Sequence, residues 1–382
     1  MMNGYFDNAA TTYRKPEGMY DHMSNYMSSF GANVGRGSYE SSIKSGLVVA
    51  ETRKQLLHLL KAPERKEVVF CPSATIALNT IIFGTDLQDG DCVYISHFEH
   101  NAVLRPLYHL QETRNIQIKY LPMSDIDKYQ FDLKKIEACL LKDKPKMVIA
   151  SQVSNVLGII CPVVAIAKLA HNVGSLMVVD AAQSCGLIDC DLSCIDYYVF
   201  AGHKTLLGPT GIGGFICDKN SSLKPFVFGG TGLDSASIYM PKTIPERFEA
   251  GTLNLISIVG LNYSLKWISE NLDKMRKSEK ENLDILYETL SRHSFLRIIS
   301  PYPYVSSIVS CMVSGFTSDE IGNILSERGI SVRSGLHCSP KAHEYIGSAP
   351  EGLIRFSISA LTTKEDFSAL ESVLSMVEED IV

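Results

Sequence analysis

Three short stretches place reactive side chains in polar or glycine-rich surroundings. In VFAGHKTLLGPTGIGG, residues 199–214, Lys204 stands just past an apolar run and is followed by Gly208, Gly211, Gly213 and Gly214. A lysine amine becomes a nucleophile when its pKa is drawn down, and it can then form a Schiff base with an aldehyde. In LMVVDAAQSCG, residues 176–186, an apolar run ends in Asp180. An aldehyde cofactor of the pyridoxal phosphate type needs both groups, a lysine for its aldehyde and a carboxylate for its ring nitrogen. Each residue alone is ordinary, a solvated lysine or a loop carboxylate; the signal is the pair. The third stretch, RSGLHCSP at 333–340, puts Cys338 directly after a histidine. A thiol attacks as the thiolate, and its ordinary pKa is about 8.5. A neighbouring cation or a polar loop is therefore expected to favour the thiolate, with His337 and Arg333 as candidate cations.

The elements around these residues read as an α/β fold. Between residues 65 and 217, apolar β-rich runs predict strands at 67–70, 92–96, 116–121, 147–151, 176–180, 197–201 and 213–217. Helical spacing predicts helices at 75–83, 103–112, 132–141 and 163–172. Strands that are apolar throughout and mostly separated by helices belong in a largely parallel sheet covered on both faces. Asp180 and Lys204 then sit at the carboxyl ends of successive strands, where ligands collect. The glycine spacing after Lys204 fits neither a dinucleotide fingerprint nor a P-loop, since no Gly-Lys-Ser/Thr follows. After Ala250 the rhythm changes to a long helical region, 257–292. It leads into strands at 296–299, 307–314 and 354–359 with helices at 318–328 and 364–376, a second, α+β unit.

Composition sets limits. The chain has 382 residues, 45% of them hydrophobic and 20% charged, which suits a soluble globular protein of two or three domains or of one large and one small. Its net charge is -6, with 36 basic and 42 acidic residues well mixed; without a Lys/Arg run, nucleic acid is not expected as a partner. The start, MMNGYFDNAATTYRKPEG, lacks a basic segment followed by an apolar one, and the apolar runs are too short to span a bilayer. A cytoplasmic protein with no membrane contact is expected. The ten cysteines are irregularly spaced and should be reduced and mostly buried. Neither Cys185, Cys190 and Cys194 nor His97 and His100 form a paired Cys-x-x-Cys pattern, so no metal is expected.

Nine motifs, in order along nearly the whole chain, carry a family resemblance. They are YFDNAATT at 5–12, SATIALN at 73–79, EHNAVLRP at 99–106, SNVLG at 154–158, VDAAQS at 179–184, GHK at 202–204, FEAGT at 248–252, RSGLHC at 333–338 and IRFS at 354–357. Together they resemble the cysteine desulfurases, fold-type I pyridoxal 5'-phosphate enzymes of aminotransferase class V. The resemblance implies a large cofactor-binding domain over 15–255, built on a mostly parallel seven-stranded sheet sandwiched by helices. It also implies a small α+β domain of 1–14 and 256–382 that carries the cysteine loop.

The resemblance further implies roles. Lys204 would hold the cofactor, Asp180 would pair with its ring nitrogen, His100 would stack on the ring and pass protons, and Gln183 would donate to the phenolic oxygen. Asn155 would lie beside ring and substrate. Ala74 through its backbone and Thr75 through its hydroxyl would hold phosphate at a predicted helix N-terminus, and His203, beside the lysine, would be another phosphate contact. Thr252 would reach the phosphate of a neighbouring subunit, which implies a homodimer with shared sites. Arg355 would clamp the substrate carboxylate, with Arg333 as a second orienting arginine. Cys338 would attack the sulfur of L-cysteine, leaving alanine and a persulfide. The short loop resembles the SufS-type group, which passes sulfur to an acceptor protein, with iron-sulfur cluster assembly among the outlets. A lyase acting on selenocysteine or cysteine sulfinate, a class V aminotransferase needing no thiol, and a catalytically silent sulfur-transfer scaffold remain the alternatives. One departure stands out: many relatives carry a phosphate-binding serine or threonine two residues before the histidine of the His-Lys pair, where this chain has Ala201.

Overall fold

A computed structural model describes residues 4–34, 37, 39–232, 236–303 and 305–381. Its seven-stranded sheet runs in the order Lys66–Cys71, Gly213–Asp218, Tyr197–Ala201, Leu176–Asp180, Met147–Ser151, Cys92–Ile95, Gln117–Tyr120. Gly213–Asp218 is antiparallel to both neighbours, and every other pairing is parallel. This is the expected α/β architecture, and the strands fall within a residue of the spans read from the sequence.

Side chains alternate between two apolar layers. Val68, Phe70, Val148, Ala150, Met177 and Val179 pack on one face. Val69, Cys71, Met147, Ile149, Val178 and Val199 pack on the other. Burying each larger aliphatic contributes roughly 1.5–3 kcal/mol. Because both faces are covered, hydropathy runs continuous along each strand while the packing keeps its period of two. The helix Ala74–Gly84 starts at Ser73, whose Oγ accepts from the Ile76 N–H at 3.3 Å. Leu133–Asp143 starts at Asp132, which accepts from the N–H groups of Lys134 and Lys135. Such caps satisfy amides that have no partner within the helix.

The helix Leu255–Ser291 leads to a four-stranded antiparallel sheet in the order Arg333–Gly335, Leu353–Ser357, Ile308–Val313, Leu296–Ile298. Phe6, Leu286, Val309, Phe356 and Leu374 form its own core. The chain start belongs here as well: Gly4–Tyr5 pairs in parallel with Ile330–Ser331, and Asp7 bridges to Ser357.

Three helices, Met19–Phe30, Glu40–Leu59 and Pro340–Ile346, were not expected from apolar periodicity. Glu40–Leu59 shows why. It buries Ser42, Ser45, Val49, Thr52 and Leu56, a helical spacing occupied largely by small polar residues. The Ser45 and Thr52 hydroxyls donate to carbonyls four residues earlier, at 2.9 and 2.7 Å, so they are buried at little cost. Among the described residues, no helix is long and apolar enough to cross a membrane.

Candidate active site

Asp180 ends its strand at the sheet's carboxyl edge, and Lys204 follows the adjacent parallel strand by three residues. The Lys204 amine opens into a cavity but is otherwise ringed by protein. Burial draws its pKa down to about 8; Arg355 pushes the same way, against Asp180 and Asp7. Burial pushes the Asp180 carboxyl up, opposed by the Ala182 N–H it accepts at 2.9 Å and by Lys204. The glycines after Lys204 serve close packing. A Cβ on Gly213 would lie 2.8 Å from the Ala74 nitrogen, so only glycine lets that strand lie against the helix N-terminus.

The cavity, of about 560 Å³, brings together Ala74, Thr75, His100, Asn155, Asp180, Gln183, His203 and Lys204. His100 caps the helix Asn101–Arg114: its Nδ1 accepts from the Ala102 N–H at 3.0 Å, which leaves the proton on Nε2. Burial, with Lys204 and Arg355, lowers its pKa to about 4, so the ring is neutral. Behind it, Glu99 is fully enclosed and accepts from Ser96 and from the Ser151 amide and hydroxyl; burial raises its carboxyl to about 7. Gln183 donates one amide N–H to the Ala9 carbonyl at 2.9 Å and keeps a second proton. Since Ser73 is the helix cap, the Thr75 hydroxyl is not needed for that role. Among the described residues the enclosed Nδ1 of His203 has no hydrogen-bond partner. Thr252 is exposed and is not part of this cavity.

Cys338 is exposed between buried neighbours, His337 and Ser339. Its loop, residues 336–339, joins the strand Arg333–Gly335 to the helix Pro340–Ile346. The expected cationic role of His337 does not hold. Its ring is buried and its pKa lies well below the ordinary value, because of burial first and the Arg355 charge next. Its Nε2 donates to the Arg333 carbonyl and its Nδ1 faces His343 Nε2, so it is a neutral structural ring. The cations within electrostatic reach of the thiol are Lys204 and Arg355. The Arg333 side chain is exposed; its charge acts on Arg355 and His337, and it is not part of the cavity wall. Asn155 bonds the cysteine loop on both sides: its Nδ2 donates to the His337 carbonyl at 2.7 Å, and its Oδ1 accepts from Ser339 Oγ at 2.8 Å.

Arg355 is buried in the strand Leu353–Ser357. It donates to Asp7 Oδ1 and to the Asn155 carbonyl, both at 2.8 Å, and its Nε has no partner among the described residues. Asp7 lies 348 positions away in sequence and was not anticipated as the arginine's partner. The same is true of Ser73, Glu99 and Ser339; each lies in or beside a quoted motif, but no spacing rule marks it.

A mostly parallel sheet with an enclosed lysine and carboxylate at its carboxyl edge is the arrangement that an aldehyde cofactor of the pyridoxal type needs. Comparison with known proteins makes this specific. The aminotransferase class-V family matches residues 4–370, and the chain belongs to it. A cysteine desulfurase of Synechococcus elongatus is 33% identical over 387 residues, covering 98% of this chain and 60% of that protein. A probable cysteine desulfurase of Mycolicibacterium paratuberculosis is also longer, and the chain spans 55% of it. A probable cysteine desulfurase of Methanothermobacter thermautotrophicus is 30% identical, with 98% and 94% covered. The apo structure of cysteine desulfurase from Thermococcus onnurineus NA1 superposes with a TM-score of 0.89 at 29% identity, covering 99% of this chain and 94% of that one.

Members of the family depend on pyridoxal 5'-phosphate, and the cavity fits it. Lys204 and Asp180 supply the amine and carboxylate, while the unpartnered His203 Nδ1 and the helix N-terminus at Ala74 and Thr75 suit a phosphate. Ala201 turns a methyl group into the same cavity. Ala201→Ser is therefore expected to tighten cofactor binding by about 1–2 kcal/mol through one more hydrogen bond to a charged group. Equilibrium dialysis checks this, and an unchanged Kd contradicts it.

Proposed function

We propose that this protein is a cysteine desulfurase that converts L-cysteine to L-alanine and takes the sulfur onto Cys338 as a persulfide. The observation that carries the reading is the exposed Cys338 thiol, within electrostatic reach of Arg355 and of Lys204, which lines a pyridoxal-type cavity. Bound at Lys204, pyridoxal phosphate supplies an electron sink that makes the substrate's Cα proton removable. Arg355 holds the substrate carboxylate with a planar donor set that suits it. The Lys204 amine, with a pKa near 8, takes the Cα proton. The Cys338 thiolate then attacks the substrate sulfur: an S–S bond forms and the substrate C–S bond breaks, the carbon fragment regains the Cα proton from Lys204 and takes at Cβ the proton that the Cys338 thiol released, and it leaves as alanine. The neutral His100, protonated on Nε2, moves that proton in this reading.

Several features support a homodimer: Thr252 is exposed, as are Tyr20, Leu47, Phe228, Ile238 and Tyr239. In such a dimer Thr252 meets the phosphate bound by the other subunit. The short loop suits the SufS-type group, with an acceptor protein collecting the sulfur in the cytoplasm for uses such as iron-sulfur cluster assembly. We take residues 15–255 as one domain and 1–14 with 256–382 as the other.

The test is a substrate panel. With L-cysteine and a reductant the enzyme is expected to give alanine and sulfide in equal amounts, without any keto acid. Turnover confined to selenocysteine or cysteine sulfinate would assign it to a sibling lyase, and turnover that needs a keto acid would overturn the reading.

A further inference from the structure

We infer that Asn155 is the positioning residue that sets Cys338 for attack, acting through the backbone of the cysteine loop and not through the cofactor ring. The inference rests on the desulfurase reading. His337 and Cys338 both adopt the left-handed conformation, with φ of 50° and 57°. Two successive non-glycine residues in that region are strained, and the conformation persists only where the surroundings impose it.

The surroundings do so bond by bond. The Asn155 amide straddles the cysteine, holding the His337 carbonyl on one side and the Ser339 hydroxyl on the other. The Cys338 carbonyl accepts from the Asn101 N–H at 2.7 Å, in the first turn of the helix that His100 caps. A second brace lies behind. His337 Nε2 can only donate to the Arg333 carbonyl, so its Nδ1 accepts from His343 Nε2, and His343 Nδ1 accepts from Ser348 Oγ at 2.8 Å. Asn155 also touches the substrate clamp, since its backbone carbonyl accepts from Arg355. One residue thus fixes thiol and clamp relative to each other. Asn155 and Ser339 are both buried, so breaking their contact leaves polar atoms without partners and loosens the loop.

The test compares Asn155→Ala with Ser339→Ala. Ser339 is not part of the cavity wall, so its removal acts only through the loop. The readouts are cofactor affinity, single-turnover persulfide formation and the rate at which iodoacetamide labels Cys338 in the holoenzyme. Asn155→Ala is expected to slow persulfide formation by about 10- to 100-fold, the scale of a misplacement near 1 Å. Cofactor affinity should stay within about threefold, and labelling of Cys338 should quicken as the loop loosens. Ser339→Ala should shift the same readouts in the same direction, by less. Loss of cofactor affinity in proportion to activity in Asn155→Ala overturns the inference. So does a Ser339→Ala protein with wild-type labelling and persulfide formation. The labelling readout needs no sulfur chemistry, so it judges the latch even if the wild-type protein forms no persulfide.

Discussion

Cys338→Ala is expected to lower sulfide and alanine formation from L-cysteine by on the order of 10³-fold or more, while cofactor absorbance stays at the wild-type level. No other thiol can take over. Burial pushes Cys71, Cys92, Cys161, Cys185, Cys194 and Cys311 up, and it pushes Cys190 and Cys217 to about 12, so these stay protonated near neutrality. Cys139 is half-buried on the helix Leu133–Asp143. Cys338 is the one exposed cysteine, and it lies within electrostatic reach of Lys204 and Arg355. Cys338→Ser should match the alanine variant, because a serine oxygen of similar size is far less nucleophilic toward sulfur. Residual sulfide release above a few per cent of wild type from either variant contradicts the assignment.

Lys204→Ala is expected to remove covalent cofactor attachment and to cost on the order of 10³-fold or more in turnover, since in the proposed reaction the amine serves as both anchor and base. Its pH dependence gives a second reading. The neutral amine is the nucleophile, and burial has lowered its pKa to about 8. Below that value the ammonium dominates. Capture of pyridoxal phosphate by wild-type apoprotein should therefore rise about tenfold per pH unit up to pH 8 and level off above it. Stopped-flow absorbance measures the rate. A midpoint near the ordinary lysine value of about 10.4 would mean that the enclosure does not act on the amine as described.

Much of the sheet was legible because continuous apolar runs such as 147–151 and 176–180 can hardly be anything but strands covered on both faces. The pairing of Asp180 with Lys204 followed from where those strands end. What stayed hidden depends on groups distant in sequence or on burial. His337 beside a cysteine looks like a source of charge; the fold encloses it against His343, and it is neutral. The Arg355 partner, Asp7, comes from the other end of the chain. Thr75 and Ser73 are equally good caps by type, and only the backbone geometry chooses Ser73. Glu40–Leu59 was overlooked because its buried stripe is made of serine and threonine. Cys338 itself owed its prominence to the motif resemblance; among ten cysteines, only its exposure and its neighbours in space distinguish it.

The most direct test mixes cofactor-loaded enzyme with one equivalent of L-cysteine without reductant, then counts alanine and maps added sulfur by peptide mass. Alanine and a single added sulfur on the Cys338 peptide, in equal amounts, is the predicted result. Alanine formed with no sulfur on that peptide, or with the sulfur on another cysteine, would contradict the account.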